Sequence, residues 1–289
     1  MRILVTGCSG FVGSFLARRL VERSHELFCV VRSGAEVPLG QAVPWDAAET
    51  LPESSFPRDI DVVIHLAQSR KFRSFPADAP EMFGVNVRMT AELLNWAART
   101  GVKQFVLMSS GSVYEPCAGR LHESAPLAPN SFLGATKLAS EVIARPYANA
   151  FKLCVLRLFF PYGPGQSDRL IPDLIRRVRT GQAIQISQDG EGLRFTPTFI
   201  DDVTAVVSEC VEKAWTGTFN ISSAERISIK QATALMGDIL QIAPIYEPVK
   251  QSAGFIDPDI SKLAEQFDVN RFKRFEAGLR TTIAASTAK

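Results

Sequence analysis

Residues 5–20 read VTGCSGFVGSFLARRL, and the placement of the glycines in this stretch decides the fold. Gly7, Gly10 and Gly13 follow the apolar run Arg2 to Thr6 directly and open an amphipathic segment, Val12 to Arg23. Lacking Cβ atoms, they permit a tight strand-to-helix turn and let backbone N–H groups approach an anion seated on the positive end of the helix. The spacing G-x-x-G-x-x-G differs by one residue from the G-x-G-x-x-G dinucleotide fingerprint, and the strand, turn and helix context is the one that fingerprint requires. A turn that is merely tight is the bland alternative. Nucleotide binding, with Gly7, Gly10, Phe11, Val12 and Gly13 at the pyrophosphate, is the expectation.

Outward from this turn, short apolar runs alternate with longer amphipathic segments. Leu27 to Val31, Asp61 to Leu66, Gln104 to Met108 and Lys152 to Leu158 read as strands buried on both faces, and Met82 to Arg99 and Ser131 to Ala150 as helices. Strands joined by helical crossovers predict an α/β fold, a Rossmann-type doubly wound parallel sheet. Past Pro161 the stretch PYGPGQSDRLIP is turn-rich and the following segments are mixed. The expected division is a dinucleotide-binding domain over 1–162 and 201–222, with a smaller mixed C-terminal substrate-binding region over 163–200 and 223–289.

With 289 residues, 46% hydrophobic and 21% charged, the chain has the make-up of a globular protein with a sizeable core. A formal net charge of +2 gives no broad basic footprint, so nucleic acid is not an expected partner. No stretch reaches the roughly 18 apolar residues of a membrane helix, and the opening MRILVTGCSG lacks the order of a signal peptide, so a cytoplasmic protein is expected. The five cysteines, Cys8, Cys29, Cys117, Cys154 and Cys210, are widely spaced and expected as reduced thiols, and His25, His65 and His122 lack zinc-ligand spacing, so no metal is expected.

Several ordered motifs resemble the extended short-chain dehydrogenase/reductase family, in particular its nucleotide-sugar epimerases, dehydratases and reductases. TGCSGFVG is similar to that family's T-G-x-x-G-F-x-G, and DVVIHLAQ to its fourth strand, where Leu66, Ala67 and Gln68 would lie along the cofactor. NVRMTAELLNWAARTGVKQFVLMSSGSVYE resembles its N-V-x-x-T helix followed by an S-S-x-x-V-Y strand end. LRLFFPYGPGQ and GEGLRFTPTFIDDV resemble L-R-x-x-N-x-Y-G-P and R-D-x-x-x-V-x-D, with departures. The resemblance implies a nucleotide-sugar substrate and a homodimer in which the 82–99 and 131–150 helices pair with their symmetry mates.

Cofactor choice is read from charge. An acidic residue at the end of the second strand would accept hydrogen bonds from the NAD ribose, but Val31 stands there and Arg32 follows. A guanidinium suits a 2′-phosphate, so NADP is expected, with NAD possible. The resemblance implies an adenine contact at Asp46 and Ala47, and a cofactor contact at Phe160.

In the family a Ser or Thr, a Tyr and a Lys four residues later act together, the tyrosine moving the proton and the lysine lowering its pKa. Ser110 matches the first and Lys137 the last, but the tyrosine position holds Leu133, which carries no proton. The catalytic candidates are therefore Ser110 and Lys137, with Ser110, Asn86 and Arg194 as implied substrate contacts. Tyr114, Tyr162, Ser131 and Cys117 are candidate proton donors, although both tyrosines read better as packing residues. Phe160 and Phe195 replace an asparagine and an aspartate often seen in the family. Asp201 and Asp202 read as caps of the following helix. The expected activity is that of an NADP-dependent reductase or epimerase on a nucleotide-linked, deoxy or keto sugar. The alternatives are a catalytically silent nucleotide-binding module and a dehydratase or 4-epimerase with tightly held NAD.

Overall fold

The computed structural model describes residues 1–37, 39–72, 74–117, 119–250 and 254–287. Its central sheet has seven strands: β1 Arg2–Thr6, β2 Glu26–Val31, β3 Gln41–Pro44, β4 Val62–His65, β5 Gln104–Ser110, β6 Lys152–Leu158 and β7 Gly217–Ile221. They lie in the order β7-β6-β5-β4-β1-β2-β3, and β1 to β6 pair in parallel. The doubly wound parallel sheet expected from the sequence is thus the fold. All of β4 and all but the last residue of β5 are buried, because helices cover a parallel sheet on both faces.

The glycine turn leads from β1 into α1, Phe11–Glu22. Strand order reverses between β1 and β4, which leaves a crevice at their carboxyl ends. On the way to β5 the chain forms α2, Ala79–Phe83, then a π-helical turn, Gly84–Arg88, then α3, Met89–Arg99. The single helix expected over 82–99 therefore starts earlier and carries a widened turn. The Asn86 carbonyl shows why: it accepts hydrogen bonds from Thr90 Oγ1 at 2.6 Å and Ser140 Oγ at 2.5 Å, and hydroxyls inserted into the ladder distort it. The next helix, α4, covers Phe132–Ala144 rather than reaching Ala150; around Pro146 the chain tightens into a 3₁₀ turn, Arg145–Asn149. Leu4, Val63, Phe105 and Leu107 from the strands pack with Leu93, Leu94 and Trp96 of α3 in one apolar cluster.

The chain divides into two compact units. The first comprises Met1–Pro116, Glu123–Leu158 and Thr204–Phe219; the second comprises Cys117–His122, Phe159–Val203 and Asn220–Lys289. The second unit contains α5, Leu170–Arg179, and α7, Ile229–Leu240, with α6, Ile200–Glu212, starting within it. Its strands are short pairs: 184–187 with 246–249, 194–195 with 227–228, 161–162 with 198–199 and 120–121 with 257–258. Because α6 starts at Ile200, Asp201 and Asp202 sit inside its first turn rather than capping it from outside, and Asp202 accepts the Lys273 N–H at 2.9 Å. All five cysteines are free thiols; four are buried and Cys117 is half-buried.

Candidate active site

The glycine turn is as crowded as its sequence suggests. Gly7 has φ +76°, and a Cβ there would meet the Ala67 nitrogen and Leu66 carbonyl carbon at 3.0 Å; one on Gly13 would lie 2.1 Å from the Gly7 oxygen. The turn is closed by a hydrogen bond from Gly10 N to Gly7 O at 2.9 Å. Among the described residues no side chain is seen to cap α1, and no acidic residue sits in its first turn, so the positive helix end is left for an anion. A bare backbone cradle against Ala67, opening onto an uncapped helix, fits a dinucleotide pyrophosphate. Leu66, Ala67 and Gln68 are half-buried just after β4, and Arg32 is exposed just after β2. Asp46 turns one carboxylate oxygen to Ala48 N at 2.8 Å, and the Ala47 carbonyl accepts a hydrogen bond from Arg88.

A buried polar chain fixes this crevice from below. Thr90 spends its only proton on the Asn86 carbonyl, so His65 Nε2 must donate to Thr90, 2.9 Å away. His65 Nδ1 then accepts from the Thr6 hydroxyl at 2.7 Å, and Thr6 Oγ1 in turn accepts the Ala67 N–H at 3.1 Å. Burial, followed by the charge of Lys137, lowers the His65 pKa to about 3, which keeps the ring neutral for this relay. Asn86, itself buried, accepts from Ser69 N with its oxygen and donates to Thr136 Oγ1 with its amide nitrogen. Both ends of its side chain are engaged, so in this structure it braces α4 against the loop after β4.

The start of α4 is pinned to the end of β5. Ser131 Oγ caps it by accepting the Gly134 N–H at 3.0 Å, and Ser131 N donates to Glu115 at 3.1 Å. A Cβ on Gly134 would come within 2.4 Å of the Ser112 carbonyl oxygen, so the close approach of helix and loop depends on glycine. Ser110 Oγ accepts the Ser112 N–H at 3.1 Å, leaving its own proton to donate. Lys137 is buried and, among the described residues, gives one hydrogen bond, to the Met108 carbonyl at 2.8 Å. Leu133 lies one helical turn before it, on the same side of the helix.

Burial lowers the Lys137 pKa to about 8 from an ordinary 10.5, with Glu141 partly opposing the shift. Between those values the unfolded chain binds more protons than the folded one, so stability rises with pH from about 8 toward 10.5 and the cost is fully present below 8. Lys137→Met is therefore expected to stabilise the protein at pH 7 by roughly 1–3 kcal/mol and to flatten that rise. Urea denaturation at pH 7 and pH 10 measures both effects. A methionine variant less stable than the parent at pH 7 would contradict them.

Beneath Ser110 lies a network the sequence reading did not assemble. Arg157 and Glu141, each with a side chain 2% exposed, form a two-pronged pair, Nε to Oε1 at 3.0 Å and Nη2 to Oε2 at 2.7 Å. Ser109 donates to the same carboxylate at 2.5 Å, and Arg157 Nη1 donates to the Tyr114 hydroxyl at 2.6 Å. Two signals were present: Glu141 follows Lys137 by four residues, and Arg157 interrupts the apolar strand CVLRL.

The candidate proton donors are mostly occupied. Tyr114 is buried under Arg157, and Tyr162, buried in the second unit, donates to the Phe275 carbonyl at 3.2 Å. Burial pushes the Tyr162 phenol far above its usual range. Ser131 caps α4, and Cys117 belongs to the second unit. In that unit Arg194 is half-buried and paired with Asp189 at 3.2 Å. Phe160 and Phe195 touch each other there, with ring centroids 5.0 Å apart. The two departures from polar residues are thus one coupled apolar change.

The sequence profile of the NAD-dependent epimerase/dehydratase family matches residues 3–222. Among curated proteins, the uncharacterized UDP-glucose epimerase YtcB of Bacillus subtilis is 28% identical over 260 residues, covering 83% of this chain and 82% of the relative. The dTDP-4-dehydro-6-deoxy-D-allose reductase of Streptomyces bikiniensis is 28% identical over 268 residues, covering 82% and 81%. Among solved structures, MoeE5 in complex with UDP-glucose and NAD superposes with a TM-score of 0.87 at 26% identity, over 100% of this chain and 99% of that one. The UDP-glucuronic acid 4-epimerase of Bacillus cereus, in complex with UDP-glucuronic acid and NAD, gives 0.88 at 25% identity over 100% of both chains.

Proposed function

Because this chain belongs to the NAD-dependent epimerase/dehydratase family, we propose that it oxidises or reduces a nucleotide-linked sugar with a nicotinamide dinucleotide, NADP being preferred, and moves the proton without a tyrosine. The observation that carries this reading is the conjunction, within one unit, of the bare glycine cradle with a Ser110 hydroxyl and a buried Lys137 ammonium that keep donors to spare. The names of the relatives, an epimerase and a reductase among them, support the reaction class.

In this reading the N–H groups at Gly10 to Gly13 hold the pyrophosphate, with Leu66, Ala67 and Gln68 along the cofactor and Asp46 and Ala47 near the adenine. Lys137 uses its free N–H bonds on the nicotinamide ribose, and Ser110 donates to the sugar oxygen. When bound, the dinucleotide supplies hydride transfer at a sugar carbon. Arg194 would grip the diphosphate as a planar, permanently charged fork. The Phe160–Phe195 contact takes polar groups away from the second unit, which favours a deoxy or keto sugar over one bristling with hydroxyls. A cytoplasmic homodimer through the outward faces of α2, α3 and α4, where Phe83 and Val142 are exposed, completes the proposal. Among the described residues no helix is long and apolar enough to cross a membrane.

NADP preference rests on Arg32, whereas NAD is the dinucleotide named in the solved neighbours. Calorimetry separates the two. NADPH should bind more tightly than NADH, and Arg32→Ala should weaken NADPH by about tenfold or more, the worth of a charge-assisted hydrogen bond, while leaving NADH unchanged. Equal affinities in the parent protein would hand the site to NAD. Leu133 favours a second reading, a nucleotide-binding module without turnover; a panel of nucleotide sugars assayed with both dinucleotides distinguishes it from the first.

A further inference from the structure

The first unit has a cavity of about 620 Å³ at the amino-terminal ends of β5 and β6, beside the start of β7. This is the edge of the sheet opposite the glycine turn, so the cavity has no part in the dinucleotide crevice. Its floor is apolar: Phe151, just before β6, and Leu153 and Val155 within it, alternate residues of the chain, line the cavity and are buried. The Phe151 ring stacks between Phe105 and Tyr147, at 5.5 and 6.1 Å, which fixes the floor in place.

The rim has the opposite character. Lys103, Arg145 and Lys152 line it. Lys103 is paired with Asp61 at 2.7 Å, but among the described residues no ion-pair or hydrogen-bond partner is seen for the side chains of Arg145 or Lys152. The acidic wall residue, Glu141, is neutralised by Arg157 at 2.7 Å. The cavity therefore presents two uncommitted positive charges above an aromatic and aliphatic floor.

Such a lining selects for a ligand with two parts. A neutral hydrocarbon would gain the floor and nothing from the rim; an inorganic anion would gain the rim and nothing from the floor. An apolar body carrying a doubly charged acid group gains both, because the body leaves water while the dianion meets a guanidinium fork and an ammonium. The volume lies in the range of small-molecule sites. We propose that this cavity is a second binding site, independent of the nucleotide crevice, for an organic phosphate monoester with an aromatic or short aliphatic body.

The probe is 1-naphthyl phosphate, titrated calorimetrically into the full chain at low and at moderate salt. One equivalent should bind, more weakly as salt rises. Arg145→Glu with Lys152→Glu should weaken binding by about tenfold or more; both residues are exposed, and an unchanged melting temperature checks the fold. Ala148→Trp, which fills the cavity without altering charge, should produce a comparable loss. Arg32→Ala should leave the affinity as it was. Neutral 1-naphthol and inorganic phosphate should each bind at least about tenfold less tightly than the ester. Failure to bind, equal binding by the charge-reversed protein, equal binding of 1-naphthol, or loss in Arg32→Ala would each overturn the assignment, the last by moving the probe to the nucleotide crevice.

Discussion

Leu133→Tyr is expected to raise turnover of a nucleotide sugar by about 10²- to 10⁴-fold, the usual contribution of a positioned general acid or base. The geometry for this gain is already present. Position 133 lies one turn before Lys137, and the first turn of α4 is locked by the Ser131 cap and by Gly134 against the Ser112 carbonyl. A phenol there would project beside the Lys137 ammonium, which favours phenolate and lowers its pKa. In the direction of sugar oxidation the rate should rise with pH as the phenol deprotonates. A parent protein that is already active and slows on receiving the tyrosine would show a pocket built around leucine, with another group moving the proton. Silence in both proteins, with dinucleotide bound, would favour the module without turnover.

The second large effect concerns stability. Glu141→Ala is expected to cost about 3–5 kcal/mol, because it strands the Arg157 guanidinium in a site where its side chain is 2% exposed. The arginine would lose both prongs, and Ser109 would lose its acceptor. Replacing the pair together, Glu141→Met with Arg157→Met, should recover most of the loss, since a buried ion pair contributes little beyond what apolar packing supplies. Urea denaturation of the two variants tests this, with the slope of the transition unchanged. A cost below about 1 kcal/mol for the single variant would mean that water reaches Arg157.

How much of this was legible beforehand depended on how local each cause was. The glycine turn could be read because its requirement, no Cβ at Gly7 and Gly13, is written within seven residues of sequence. The strands could be read for the same reason: a run such as QFVLM is buried on both faces by any doubly wound sheet. The π-helical turn could not, because one of the two hydroxyls on the Asn86 carbonyl comes from Ser140, 54 positions further along the chain. Arg157 is a charge within an apolar strand, a signal the sequence reading passed over, and its partner is chosen by the packing of α4 on the sheet, which periodicity does not specify. Leu133 was visible as a missing phenol. The neutral tautomer of His65 emerged only once Thr90 was seen to spend its proton elsewhere.

The sheet order has a consequence in time. β7, the edge strand beside β6, begins at Gly217, whereas β6 ends at Leu158. A ribosome adding roughly 5–20 residues per second needs about 3–12 s to cross the interval, during which the hydrophobic strand LCVLRL has a vacant side. An open strand edge is a template for pairing with other chains, so the nascent protein passes through a window of self-association hazard that closes only when about three quarters of it has been synthesised. That hazard follows from the order of the strands, whatever the finished molecule's stability.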